Sequence, residues 1–153
     1  MTNLVLFLLF TFYQTIDLRI DLGKYYDIQK QEKEHGYVET FTIIDEQDKQ
    51  QIIISITKVE VNNNHSVPNV YGDDYKQAMY SKCQCKIIVS NVKQFTHFMA
   101  QEYKIIRNGK SAYIYNTTKG KKLYSITYSA LGNQNTEKKY PDFEKIINTL
   151  EFL

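Results

Sequence analysis

The sequence predicts an α+β domain: an antiparallel sheet of about six to seven strands, in the order β-β-β-α-β-meander-α, packed by helices. Three stretches carry that expectation. Arg107-Asn108-Gly109-Lys110 lies between two alternating runs. Asn-Gly is the strongest short hairpin signal, because a type I′ turn needs φ > 0 at both central residues. Tyr37 to Ile44 and Gln51 to Val61 are two more alternating runs, joined by the polar Asp45 to Lys49. The tail KKYPDFEKIINTLEFL reads as a helix: Pro141 suits the first helical position, and Phe143, Ile146, Ile147 and Leu150 form one stripe.

The elements follow in order. Leu4 to Phe12, LVLFLLFTF, is an unbroken apolar run of signal-peptide length. No Lys or Arg precedes it and no A-x-A-like site follows. Its lack of alternation gives it no polar face, so residues 1–16 read as a signal peptide or N-terminal apolar segment ahead of a single domain over 17–153. Tyr25 to Gln31 reads as a short strand before the charged turn Glu32 to Gly36. Residues 62–72, with three Asn, a Pro and a Gly, read as a loop. Asp73 and Asp74 then open a helix to about Lys82, with Tyr75, Ala78, Met79 and Lys82 on one face. Cys85 to Val92 returns to a β-rich run and leads into the meander over 94–130.

Within the meander the turn dictates the register. With Asn108 and Gly109 as the loop, Arg107 faces Lys110, Ile105 faces Ala112 and Tyr103 faces Ile114, which makes one apolar face. Glu102, Lys104, Tyr113 and Tyr115 form the other. On the next strand Tyr124, Ile126 and Tyr128 share a face. A two-residue Lys119-Gly120 turn sets Tyr115 against Tyr124 and Tyr113 against Ile126. A loop one residue longer sends Tyr124 and Tyr128 to the Ile105 side.

At 153 residues the chain has the length of one domain with a proper core. Its 24% charged and 42% hydrophobic residues describe a foldable chain. Thirteen Tyr, eight Phe and no Trp suit strands with half-wet faces. The 19 basic and 17 acidic residues are interleaved, so nothing points to nucleic acid.

The layout resembles the PsbP-like superfamily, which includes the extrinsic photosystem protein, a Ran-binding nuclear import factor and many small bacterial envelope proteins. The residues that carry the likeness are Gly120-Lys121-Lys122-Leu123-Tyr124-Ser125-Ile126-Thr127-Tyr128, and Asp142 to Ile147 before Leu150-Glu151-Phe152-Leu153. The helix after the third strand and the meander complete it. The resemblance implies an antiparallel sheet between helices, used as a binding or accessory module, with no shared catalytic residues to carry over.

Candidate chemistry is sparse. Cys83-Gln84-Cys85 offers a disulfide or redox pair, but two ordinary cysteines at a helix end is the favoured reading, because a bridge across one residue is strained. No second pair and no nearby His complete a zinc site. His35, His65 and His97 are scattered, and no common catalytic string occurs, so no metal, cofactor or catalytic residue is assigned. Lys119 to Lys122 and the Arg107/Lys110 turn lie about 20 Å apart at ~3.3 Å per residue, too far for one basic patch. Tyr113, Tyr115, Tyr124 and Tyr128 form a ligand or partner face if open; a core covered by a helix is the favoured reading, since both helices must dock on the sheet. Asn64-His65-Ser66 and Asn116-Thr117-Thr118 fit the N-glycosylation sequon.

The reading is an exported, non-catalytic accessory domain, in the periplasm, cell envelope or outside the cell. It binds a protein partner or small ligand and meets a membrane only through an uncleaved N-terminal segment. The rivals are an enzyme with a dispersed site in a cleft near loop 62–72, and a cytoplasmic adaptor or chaperone.

Overall fold

The computed structural model describes residues 12–23, 26–44, 51–63, 73–130 and 136–153. The strands are β1 (Phe12–Gln14), β2 (Leu18–Asp21), β3 (Tyr26–Lys33), β4 (Gly36–Ile44) and β5 (Gln51–Glu60). After helix α1 (Asp73–Cys83) come β6 (Lys86–Gln94), β7 (Met99–Arg107), β8 (Lys110–Lys119) and β9 (Lys122–Ala130). Helix α2 (Tyr140–Ile147) and β10 (Glu151–Phe152) close the chain. All pairings are antiparallel. Seven strands run β3-β4-β5-β9-β8-β7-β6, and β1-β2-β10 make a second, three-stranded sheet.

This corrects the expected class. Among the described residues the molecule is mostly β, two antiparallel sheets with two short helices, and not an α+β fold packed by helices. Length explains why. Eight residues of α2 make a rod of about 12 Å, whereas seven strands at ~4.8 Å spacing span about 29 Å. One such helix cannot cover the sheet. The three-stranded sheet covers the rest, and its two-residue β10 has no period for a sequence pattern to reveal. Its β1 lies inside the segment expected to precede the domain, and Tyr13 packs on Phe41 with ring centres 5.0 Å apart. Residues 1–11, most of the apolar run, lie outside the described residues. Among the described residues no helix is long and apolar enough to cross a membrane.

Two turns set the register of the meander. Asn108 (φ +50°) and Gly109 (φ +74°) form the expected loop, with Arg107 opposite Lys110, Ile105 opposite Ala112 and Tyr103 opposite Ile114. Nothing crowds a Cβ at Gly109, so the backbone angle alone demands glycine there. The second turn is Gly120-Lys121, one residue later than Lys119-Gly120, with Gly120 at φ +58°. Glycine at the first central position is the type II′ pattern. Tyr113 therefore faces Tyr128, Tyr115 faces Ile126 and Thr117 faces Tyr124. Moving a two-residue turn by one residue shifts partners by two, so the expected face is kept although the expected pairs are not.

Gly36 is needed for a different reason. It opens β4, and a Cβ there would stand 1.9 Å from the Lys58 carbonyl oxygen. Its bare Cα lets the β5 backbone come close.

The core lies between the seven-stranded sheet and the layer made by α2 and the small sheet. Leu18, Ile20 and Leu22 from the β2 segment, Phe143 and Ile147 from α2, and Leu150 are fully buried against Phe41, Ile54, Ile56, Ile126 and Tyr128. A smaller cluster on the opposite face joins Cys85, Tyr103, Ile105 and Ile114, with Tyr75 of α1 against it.

Candidate functional site

The tyrosines singled out from sequence are brought together and then sealed. Tyr115, Tyr124 and Tyr128 have no exposed surface, and Tyr113 very little. The Phe143 ring stacks on Tyr128 at 4.3 Å between centres, and Phe152 covers Tyr124 at 4.1 Å. The face is a core, not an open platform. Burial pushes the Tyr113 and Tyr124 hydroxyls up to about 12, and it raises those of Tyr115 and Tyr128 further.

Their polar ends meet carboxylates and lysines along the α2 margin. The Tyr115 hydroxyl donates to Glu102 Oε1 at 2.9 Å and lies 2.7 Å from the Tyr140 hydroxyl. Lys93 Nζ of β6 donates to the Tyr140 hydroxyl at 2.7 Å and to Glu144 Oε1 at 2.5 Å. Burial works against the Lys93 ammonium, but Glu144 and Tyr140 outweigh it and hold its pKa above the ordinary value. Beside this group Tyr113 donates to Glu137 Oε2 at 2.5 Å, and Lys104 pairs with Glu137 Oε1 at 2.5 Å. These groups are engaged with one another, and they tie α2 to the last two strands of the sheet. Sequence reasoning missed them, because Tyr140 and Glu144 lie 38 to 51 residues from their partners Glu102 and Lys93 and carry no local spacing.

A second polar group was also missed. Asp17, between β1 and β2, is nearly buried; its carboxylate accepts from Lys58 Nζ at 2.8 Å and from Lys122 Nζ at 2.6 Å. Burial alone would raise its pKa, but the hydrogen bonds from Lys122 and Lys58 prevail and keep it low. Next to it is a half-open cavity of about 380 Å³, lined by Glu60, Val61, Lys119, Gly120, Lys121, Lys122 and Leu153. Of its lining residues, Lys119 donates to the Phe152 carbonyl.

The remaining expectations fall as follows. The Cys83 and Cys85 sulfurs are bonded to each other across Gln84, which sits at φ +54°. Cys85 is buried in the small cluster and Cys83 borders it. His35 and His97 are both exposed, one in the β3–β4 turn and the other between β6 and β7, while His65 lies outside the described residues. Among the described residues no group of His, Cys, Asp and Glu could hold a metal. Asn116 is fully buried and its side-chain amide has no partner among the described residues. A glycan cannot stand on it in the folded chain. Asn64 and the loop proposed to border an enzyme cleft, at residues 64–72, lie outside the described residues.

Several exposed apolar side chains gather along one rim. β6 ends the seven-stranded sheet, and no described strand pairs with its outer edge. Ile88, Val89 and Val92 on it are 42%, 38% and 50% exposed, and Met99 beside it is 46% exposed. From Ile87 to Val92 it carries no charge. The opposite edge, β3, is studded with Asp27, Lys30, Glu32 and Lys33. Charges on an edge strand deter further pairing, and their absence invites it.

No protein-family model matches the chain, and no curated protein matches it. Among solved structures it is similar to a crystal structure from Bacteroides thetaiotaomicron VPI-5482, with 13% identity and a TM-score of 0.42. That likeness covers 89% of this chain and 45% of the other, so the chain spans less than half the length of that neighbour. A likeness this distant bears on neither fold nor function.

Proposed function

We propose that this chain is an exported, non-catalytic binding domain that recognises a protein partner by strand addition at β6. The observation that carries the reading is the edge of β6, which pairs with no described strand, with Ile88, Val89 and Val92 exposed and no charge between Lys86 and Lys93. Strand addition gives a partner main-chain hydrogen bonds from the edge and side-chain contacts from alternate residues. The hydroxyls and carboxylates of Tyr115, Tyr140, Glu102 and Tyr113 support a structural rather than a reactive role, since they bond to one another under α2. Export rests on the apolar run Leu4 to Phe12.

The test is capture from the native source with the intact chain and with Val92→Lys, read by mass spectrometry. Amide exchange of β6 is followed with and without the captured partner. A partner held by the native chain, lost with Val92→Lys and protecting β6 amides supports the reading. A partner retained by Val92→Lys overturns it.

One observation favours a second reading, a small acidic ligand in the cavity beside Lys121 and Lys122. Lys121 is exposed there, and Lys121→Glu is the change that would abolish such binding.

A further inference from the structure

We infer that Cys83-Gln84-Cys85 is a thiol–disulfide exchange site that passes its bridge to a dithiol, the substrate class being a pair of cysteine thiols on one peptide. The inference does not depend on strand addition at β6. The first support is the size of the loop. Cys83 ends α1, Cys85 precedes β6, and their sulfurs are bonded across a single residue. A disulfide stabilises a fold mainly by closing a loop in the unfolded chain, and the gain grows with loop length. A bridge over one residue contributes least, so holding the fold together does not account for it.

Gln84 is the second support. It is exposed and left-handed, at φ +54°, where Gly or Asn is the usual residue. The bridged form therefore carries backbone strain that the dithiol is free to shed, and strained bridges are the labile, exchanging ones. The third support is asymmetry. Cys83 is half-buried, whereas Cys85 is 1% exposed and packed with Tyr103, Ile105 and Ile114. Attack from solvent is open at the Cys83 sulfur and closed at Cys85. Lys82 and Lys86, both exposed, flank the pair. Their charge draws an incoming thiolate and favours a thiolate on Cys83, offsetting the carbonyl end of α1, which disfavours it.

A substrate thiolate attacks the Cys83 sulfur; the bond to Cys85 breaks, a mixed disulfide forms, and the Cys85 sulfur leaves with the electron pair. Cys85 then takes a proton from solvent. Its apolar surroundings favour the neutral thiol, and the Cys83 carbonyl oxygen, 3.7 Å from the sulfur, is placed to accept from it. A neutral thiol is a poor nucleophile, which hinders the return step. The second substrate thiolate attacks its own chain's sulfur in the mixed disulfide and expels Cys83 as a thiolate. The substrate ends as a disulfide and the protein pair as a dithiol, reduced by the same pair of electrons. One substrate is oxidised per chain, so the exchange is stoichiometric and sits beside a non-catalytic binding role.

The test mixes the full bridged chain, without air, with one equivalent of a synthetic peptide carrying a reduced cysteine pair. Alkylated thiols are then counted by mass spectrometry. The peptide should emerge oxidised, with Cys83 and Cys85 both alkylated. Cys85→Ser, offered the same peptide as its disulfide, should hold it as a mixed disulfide on Cys83. Cys83→Ser should capture roughly tenfold less, because its remaining sulfur is buried. The thermal melt of the native chain should barely move on reduction, which separates an exchange site from a structural bridge. A peptide left reduced, equal capture by the two serine variants, or a melt that falls steeply on reduction would each overturn the inference. None of these results touches the β6 edge, so strand addition stands or falls by its own test.

Discussion

The two faces of the seven-stranded sheet are built from the same strands and differ in almost everything else. On the inner face one row across the sheet reads Glu39, Ile56, Ile126, Tyr115, Glu102, and the next reads Phe41, Ile54, Tyr128, Tyr113, Lys104. All but Lys104 are buried, and α2 and the small sheet lie over them. On the outer face a row reads Thr40, Ser55, Thr127, Ile114, Tyr103. Only its last two residues are buried, in the cluster that Tyr75 of α1 caps. The hydroxyl-bearing half stays partly exposed. Side chains alternate between faces, so a single strand can carry a large-aromatic code on one side and a small-polar code on the other. Stability should therefore reside on the inner face.

The largest expected effect tests that directly. Phe143→Ala empties the centre of the inner layer, where its ring stacks on Tyr128 and lies 5.7 Å from Tyr115. A loss of about 3–5 kcal/mol in chemical denaturation is expected. A loss no larger than that of an outer-face change would break the comparison.

The Asn108-Gly109 turn serves both faces at once. Gly109→Val places a β-branched residue at φ +74° and should cost about 1–2 kcal/mol. Asn108→Gly should be nearly silent, and equal losses for the two changes would contradict the observed turn. Smaller still is the outer face itself. Tyr75 is half-buried on Tyr103, with ring centres 5.4 Å apart. Tyr75→Ala should cost about 1 kcal/mol, and amide exchange should quicken in α1 while leaving β8 and β9 unchanged.

The last test sharpens the comparison through pH. Glu39 is fully buried on the inner face, with Oε1 accepting from the Tyr13 hydroxyl at 2.8 Å and Oε2 without a partner among the described residues. Burial raises its pKa, and the hydrogen bond from Tyr13 and the nearby Lys30 offset this only in part. A raised carboxyl pKa means that its stabilising contribution is present below the unfolded value and is lost as pH climbs through the folded one. Glu39→Gln keeps the acceptor without the charge. It should raise the melting temperature at about pH 7.5, with the gain fading towards about pH 4. A gain that grows towards acid would refute the assignment.

Much of this contrast could be read without a structure. The Asn108-Gly109 turn and the period-two alternation around it assign Tyr103, Ile105 and Ile114 to one face and Tyr113 and Tyr115 to the other, and the fold has them so. Local chemistry decides such features: a turn type demands particular residues, and alternation follows from the pleat. The Gly120-Lys121 turn was also encoded, but a neighbouring lysine on each side left its position open by one residue.

Other features had no local signal. Whether the gathered tyrosines formed a platform or a core depended on what lay over them, and Phe143 and Phe152 reach them from the far end of the chain. The second sheet turned on β1 and β10, three and two residues long, which both pair with β2. The Asp17–Lys58–Lys122 group and the Lys93–Tyr140–Glu144 group join residues from separate elements. Periodicity and turn chemistry act over a few residues, so the sequence by itself determined the strands, the main turn and the sides of the meander. Coverage, charge pairing and the bare edge of β6 arise between segments distant in the chain, and only the tertiary structure decided them.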